Sequence, residues 1–171
     1  MSRHEHSHGI GNEHPRSHEI QLFGVILFLI IWIADSFVLK STAQLANDIP
    51  LVYRIIVFVI LVVIAYRLAN GSHKLVLRNV DINNPRVVEE DVYKFLRHPM
   101  YFAEILAFIA LIQLTMSLIS TVPLLIAFFL LNLIAAYEEK ELTKILGQKY
   151  VDYMKRVPRW IPNLFVFFKK E

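Results

Sequence analysis

The chain has 171 residues, of which 56% are hydrophobic and only 19% are charged. With a mean hydropathy of +0.47, this composition is unlike that of soluble proteins and predicts a small integral membrane protein. The absence of cysteine excludes disulfides, thiolate nucleophiles and cysteine metal sites. A net charge of +3 gives no reason to expect a nucleic-acid partner.

Residues 1–19 form a polar tail that is rich in histidine. Its histidines are His4, His6, His8, His14 and His18. Imidazole is a common transition-metal ligand, but nothing in the tail fixes a binding geometry. We therefore predict a disordered tail and no metal site. A non-enzymatic membrane protein that handles metal through this tail remains an alternative, and Asp35, Gln113 and Asn132 within the apolar segments are compatible with it.

Four apolar segments are long enough to cross a bilayer, which takes about 20 helical residues. We place them at 20–39, 50–69, 101–118 and 122–137. The first lacks the pattern of a cleavable signal, so we expect it to remain as an anchor. The stretch SLISTVP joins the last two, and Pro123 with the preceding Ser120 and Thr121 predicts a helical hairpin. The expected fold is an all-α integral membrane protein, with two spans in 20–70 and a second half in 71–171.

Two polar stretches are expected to cover one face of this bundle. NGSHKLVLRNVDINNPRVVEEDVYKF carries turn-forming pairs and predicts strand-like or irregular structure that ends in a short helix. After Tyr137 the helix should continue through EEKELTKIL, stop at Gly147 and resume as an amphipathic piece through Lys155. The end, LFVFFKKE, predicts an interfacial anchor.

Lysine and arginine are shared unevenly between the connecting segments. They concentrate in 67–97 and after Tyr137, whereas the loop after the first span holds Lys40 alone and the hairpin turn holds none. Short loops that are rich in these residues stay on the cytoplasmic side. We therefore expect both termini, and the polar stretches, at the cytoplasmic face.

The stretch FLRHPMYFAE opens the third span with several polar residues. His98 directly before Pro99 is typical of a helix start, where free backbone N–H groups favour a carboxylate or a phosphate. Tyr101 lies on the same helical face as His98, and Glu104 lies about one turn deeper. The stretch therefore predicts a donor-rich rim above an apolar slot.

Glu138 and Glu139 leave the fourth span at about the depth of His98. Paired carboxylates favour a ligand with an ammonium, hydroxyl or sulfonium group, and S-adenosylmethionine carries all three together with a carboxylate. Other zwitterions satisfy the same charge pattern. The structural alternative is a capped helix end at headgroup level beside a solvated, salt-bridged helix face.

Several motifs in order resemble the isoprenylcysteine carboxyl methyltransferase and phospholipid methyltransferase superfamily of membrane enzymes. They are an RHPxY box, a helical hairpin, a Glu-Glu pair and a tail similar to FGxxYxxYxxxVPRxIP. The matching residues are Arg97, His98, Pro99, Tyr101, Glu138, Glu139, Gly147, Tyr150, Tyr153, Arg156, Pro158, Arg159 and Pro162. Members often have glycine where this chain has Asp91 and Ala103, which leaves the subfamily, and so the substrate, open.

The resemblance implies a site for S-adenosylmethionine at the cytoplasmic face. By position, His98, Tyr101, Glu138 and Glu139 would contact the cofactor, and Arg156 would lie near it. Tyr93 and Tyr150 would form part of the wall.

The expected reaction is methyl transfer to a membrane-embedded lipid or prenylated acceptor, at a carboxyl oxygen or an amine nitrogen. We assign Arg97 and Glu104 to the catalytic group, with Glu104 as a candidate base or substrate-orienting residue. An alternative enzyme class is a nicotinamide-dependent sterol reductase, because such enzymes share a related C-terminal half. The sequence does not indicate an oligomeric state.

Overall fold

The computed structural model describes residues 16–79 and 86–162, and these ranges hold helices and turns without any β-strand. The main helices are α1 (Ser17–Ile33, continued by a π-helical segment, Ala34–Leu39), α2 (Leu51–Asn79), α3 (Pro99–Thr115), α4 (Thr121–Leu146) and α5 (Gln148–Arg156). Short 3-10 helices occupy Ala43–Asp48, Asp91–Lys94 and Leu118–Ser120. The tail through residue 15 and the predicted anchor at 164–171 lie outside the described residues.

Within the described ranges, three helical stretches are long and apolar enough to cross a membrane, namely Ser17–Leu39, Leu51–Leu75 and Leu118–Leu146. The shorter helix α3 is also apolar and has 17 residues, which is the lower end of the usual span of about 17 to 25. In the most apolar part of α2 only 6% of the residues are buried within the protein, as expected of a helix that is surrounded by lipid. The prediction of an all-α membrane protein with about four spans is confirmed.

The second helix is longer than the sequence predicted. The pair Asn70 and Gly71 was expected to form a turn, and the residues after it to be strand-like or irregular, but α2 continues to Asn79. That prediction was wrong because Gly71 serves a close approach and not a turn. A Cβ at this position would lie 2.9 Å from Cγ1 of Val92, so any residue other than glycine would force the segment before α3 to shift away from α2. The predicted short helix in that segment is present at Asp91–Lys94.

The predicted hairpin of α3 and α4 is present. Met116 ends α3 in a left-handed conformation with φ of 57°, and Ser120 precedes α4. Pro123 lies in the first turn of α4, where a backbone N–H would have no helical partner. The two arms pack mainly against other helices, since α3 lies along α2 and α4 lies along α1. Each arm of the hairpin is therefore supported by one of the first two spans.

Aromatic side chains fill the space between α1 and α3. The rings of Phe28 and Phe108 stack with centroids 4.1 Å apart. About one turn further along, Nε1 of Trp32 donates hydrogen bonds to the Leu111 carbonyl oxygen at 3.2 Å and to Oγ1 of Thr115 at 3.0 Å. The two helices therefore run parallel, and these contacts set their relative position along the axis.

A buried polar cluster closes the bundle at the end of α3 that is opposite to His98. Asp35 is 2% exposed, and its carboxylate accepts hydrogen bonds from Oγ of Ser117 at 2.6 Å and from the backbone and hydroxyl of Thr42 at 3.1 and 2.5 Å. The carboxylate thereby ties the loop after α1 to the hairpin turn. Asp35 and Asn132 lie toward opposite ends of the bundle and do not form a continuous polar path.

The break between α4 and α5 occurs at Gly147, as the sequence predicted. Gly147 has φ of 59° and ψ of −139°, a combination that is nearly restricted to glycine. The resulting change of direction lets α5 bury Tyr150 and Tyr153 while its charged residues face outward. The two tyrosines form a small core with Val157, which leads the chain back over the end of α4.

Candidate active site

The site begins where the chain enters α3. His98 is the residue before the helix, with φ of −122° and ψ of 65°, and Pro99 is the first helical residue. The backbone N–H of Arg97 donates to the carbonyl oxygen of Pro158 at 3.0 Å. The His98 side chain is only 8% exposed, so it is directed into the protein and not toward the surface.

The imidazole of His98 lies against both glutamates of the pair on α4. Its Nε2 is 3.1 Å from Oε1 of Glu139, and its Nδ1 is 3.6 Å from Oε2 of Glu138. The hydroxyl of Tyr101 donates to Oε1 of Glu138 at 2.6 Å. The rings of His98 and Tyr101 are nearly parallel, with centroids 5.5 Å apart. Two motifs that are about 40 positions apart in the chain thus form one polar cluster.

Glu139 is held by basic groups on two sides. Nη1 of Arg97 lies 3.0 Å from its Oε1. Nε of Arg159 donates to the same oxygen at 2.9 Å, and Nη2 of Arg159 donates to Oε2. This paired, charge-assisted arrangement is the strong form of an arginine–carboxylate contact. The contact with Glu139 raises the pKa of Arg159 further above its usual value.

Three residues of this cluster were missing from the predicted site, namely Arg159, Asn132 and Trp160. Oδ1 of Asn132 accepts hydrogen bonds from Nη1 of Arg159 at 2.9 Å and from Nε1 of Trp160 at 3.0 Å. Asn132 lies seven residues before Glu139 and therefore on the same face of α4, which is a signal that the sequence does carry. The return of the segment 157–162 onto that face is a tertiary feature without a local signal.

The predicted wall tyrosines lie beside the cluster. The carbonyl oxygen of Tyr93 accepts a hydrogen bond of 2.9 Å from the hydroxyl of Tyr153. Burial raises the pKa of Tyr93 and of Tyr150 above the usual value, and the nearby glutamate charges act in the same direction. Both phenols therefore stay protonated at neutral pH and can donate a hydrogen bond.

Two predicted site residues lie apart from the cluster. Arg156 projects from α5 with its side chain 62% exposed and pairs with Glu89 at 3.0 Å. Glu104 lies one turn deeper along α3 than Tyr101, in a crevice between α1, α3 and α4. Across residues 16–79 and 86–162, no group of three or more acidic or histidine side chains is placed to hold a metal ion.

Comparison with known proteins supports the family that these motifs resemble. The family model described as phospholipid methyltransferase matches residues 49–149, which is more than half of the chain. A methanethiol S-methyltransferase from Pseudomonas deceptionensis is 38% identical over 78 residues, which cover 43% of this chain and 27% of the relative's length. The match therefore spans about a quarter of that relative. No solved structure matches the chain.

Proposed function

The chain belongs to the phospholipid methyltransferase family, and from this premise we propose that it transfers a methyl group from S-adenosylmethionine to an acceptor that reaches the site through the membrane. Membership of the family and four apolar helices make it a membrane methyltransferase. The cofactor, the site residues and the acceptor are parts of the proposal.

One observation carries the assignment of the site. The side chains of His98 and Tyr101 at the start of α3 contact those of Glu138 and Glu139 at the end of α4. A capped helix end beside an unrelated solvated helix would not require this junction. Because the contacts join a donor-rich helix start to paired carboxylates, they create a place where a zwitterionic ligand finds both kinds of partner.

The charges of the cluster fit S-adenosylmethionine. Nε of Arg97 is buried and has no hydrogen-bond partner among the described residues, so it is available to a ligand carboxylate. The backbone N–H groups at the start of α3 favour the same negative group. Glu138 offers a carboxylate for an ammonium or for ribose hydroxyls. Glu139 already has Arg97 and Arg159 as partners, and we assign it to holding those arginines in place.

When bound, S-adenosylmethionine supplies a methyl group on a sulfonium, which needs no metal for an in-line displacement. The contribution of the protein is then to hold donor and acceptor in line and to keep water away. His98 and Tyr101 orient Glu138, while Tyr93 and Tyr150 form a protonated wall. The segment with Arg159 and Trp160, which is hydrogen-bonded to Asn132, covers the cluster from the side of α5.

The acceptor is expected to be a lipid or a prenylated molecule, at a carboxyl oxygen or an amine nitrogen. The relative's name adds a thiol to these choices. Clustering of lysine and arginine in 67–97 and after Tyr137 supports a cytoplasmic position for the site.

Calorimetric titration of the detergent-purified protein with S-adenosylhomocysteine tests the proposal. We expect micromolar binding that the Glu138→Ala variant loses. Glu141→Ala is the matched control, because Glu141 lies on the same helix and pairs with the exposed Lys144. Absence of binding to the folded protein would overturn the proposal, and binding of a reduced nicotinamide cofactor in the same titration would favour the reductase alternative.

A further inference from the structure

A crevice opens between α1, α3 and α4, beside the candidate active site. It is narrow and partly open to the surroundings. Its polar side chains are Glu104 of α3 and Gln21 of α1, while Ile20, Leu130 and Leu131 supply most of the apolar wall.

The crevice exists because no aromatic side chain fills the space between α1 and α3 at this height. Phe28 and Phe108 fill the space between the two helices, and Trp32 fills it one turn further on. One turn before Phe28 comes Gly24, which has no side chain to place opposite Glu104. The backbone of α1 instead approaches α4 closely, since a Cβ at Gly24 would lie 3.6 Å from the Cβ of Ala127.

The crevice and the polar cluster lie on shared faces of α3 and α4. Glu104 follows Tyr101 by three residues and so lies on the same face of α3, about 4.5 Å further along the helix axis. Leu131 precedes Glu138 by seven residues and shares its face of α4. Tyr101 and Glu138 are hydrogen-bonded to each other, so the crevice lies deeper in the bundle than that pair, on the same helix faces.

Glu104 forms no hydrogen bond or ion pair with any residue in 16–79 or 86–162. A carboxyl group among apolar side chains is costly unless it is paired. Arg97, the arginine at the start of the same helix, is bound to Glu139. Glu104 is therefore a polar group at the depth of the bilayer whose role is not explained by the fold.

We infer that this crevice holds the methyl acceptor, and that Glu104 removes a proton from its nucleophile. This inference rests on the proposed function and selects among its acceptors. A nucleophile with an N–H or S–H group gains a partner in Glu104. A carboxylate acceptor needs no base and would be repelled by a second carboxylate.

The step balances with the groups already named. The lone pair of the nucleophile forms the new bond to the methyl carbon, the carbon–sulfur bond breaks, and its electron pair stays on sulfur. The proton of the nucleophile passes to a carboxylate oxygen of Glu104 and from there to water. Gly24 lines the crevice, so a larger side chain at this position would fill part of it and limit the group that enters.

The test compares the wild type, Glu104→Gln and Gly24→Leu in turnover of phosphatidylethanolamine, octanethiol and N-acetyl-S-farnesylcysteine. S-adenosylhomocysteine affinity is measured for every variant, and Glu19→Gln on the exposed face of α1 is the matched control. We expect the wild type to methylate the amine or the thiol. Glu104→Gln should lower kcat by about 100-fold or more, and Gly24→Leu should mainly raise KM, both with cofactor affinity within about twofold.

A second readout separates a base from a merely structural residue. If the thiol is the substrate, raising the pH from about 7 to about 9 should increase turnover of Glu104→Gln by about 100-fold, since the small thiolate fraction rises about tenfold per pH unit without a base. If the amine is the substrate, the pH profile of the wild type should lose its lower limb in the variant.

Three outcomes would overturn the inference while the proposed function stands. They are full activity of Glu104→Gln, loss of S-adenosylhomocysteine binding in that variant, and wild-type protein that binds S-adenosylhomocysteine but methylates only the carboxylate or none of the three. Failure of the wild type to bind S-adenosylhomocysteine would overturn the proposed function, and this inference with it.

Discussion

The hydroxyl of Tyr101 on α3 donates a hydrogen bond of 2.6 Å to Oε1 of Glu138 on α4. The aromatic ring of the same tyrosine stacks on His98, which in turn faces both glutamates. Tyr101 therefore orients Glu138 through its hydroxyl and supports His98 through its ring, and these two functions can be separated by mutation.

Replacing Tyr101 with phenylalanine removes the hydroxyl and keeps the stacked ring. We expect the free energy of unfolding to fall by about 1 to 2 kcal/mol, because the lost hydrogen bond has a charged acceptor. S-adenosylhomocysteine should bind about threefold to tenfold more weakly, since Glu138 is no longer fixed. Thermal unfolding and calorimetry measure the two effects. Tyr66→Phe is the control, because Tyr66 is 63% exposed on α2, and unchanged affinity in Tyr101→Phe would show that Glu138 needs no orientation.

The two glutamates should respond differently to neutralisation. Glu139 is 6% exposed and pairs with Arg97 and Arg159, so Glu139→Gln leaves two guanidinium groups without their charged partner. We expect a loss of about 3 to 5 kcal/mol of stability. Glu138→Gln should lower stability far less and act mainly on cofactor affinity.

Thermal unfolding of both variants, with and without S-adenosylhomocysteine, distinguishes these roles. A similar loss of stability in the two variants would mean that Glu138 is as much a structural residue as Glu139. Arg159→Lys provides a further comparison, since lysine keeps the charge but cannot reproduce the paired contact of a guanidinium.

The two motifs that form the candidate site could be predicted from the sequence, whereas the segment that packs over them could not. The His-Pro helix start and the glutamate pair are each recognisable in the local sequence. Because both lie at the same end of neighbouring spans, they were expected to come close together. Arg159 and Trp160 reach Asn132 only because the chain turns at Gly147 and returns across α4. At Gly71 the local sequence was misleading. It was interpreted as a turn, but this glycine is explained by the close approach of α2 to Val92.

Asp91, in the segment before α3, has a backbone conformation that glycine adopts more readily than other residues. Its φ is 49°, a region that glycine adopts freely and that aspartate tolerates better than most residues. We expect Asp91→Gly to leave activity within about twofold of wild type, and Asp91→Val to lower stability by about 1 to 3 kcal/mol because a β-branched residue is strained there. Thermal unfolding and S-adenosylhomocysteine binding check both. A stable, active valine variant would show that the segment before α3 can change conformation at no cost to the site.

The chain contains no cysteine, so single introduced cysteines report its orientation in the membrane without background. Lys149 on α5 and Asn47 in the 3-10 helix before α2 are both exposed, and they lie at opposite ends of the bundle. Because lysine and arginine concentrate on the side of α5, that side should be cytoplasmic. In intact cells, a membrane-impermeant maleimide should label Asn47→Cys at once and Lys149→Cys only after permeabilisation. The reverse pattern would place the cluster of His98 and Glu138 on the outside, away from cytoplasmic S-adenosylmethionine, and would contradict the proposed function as well as the orientation.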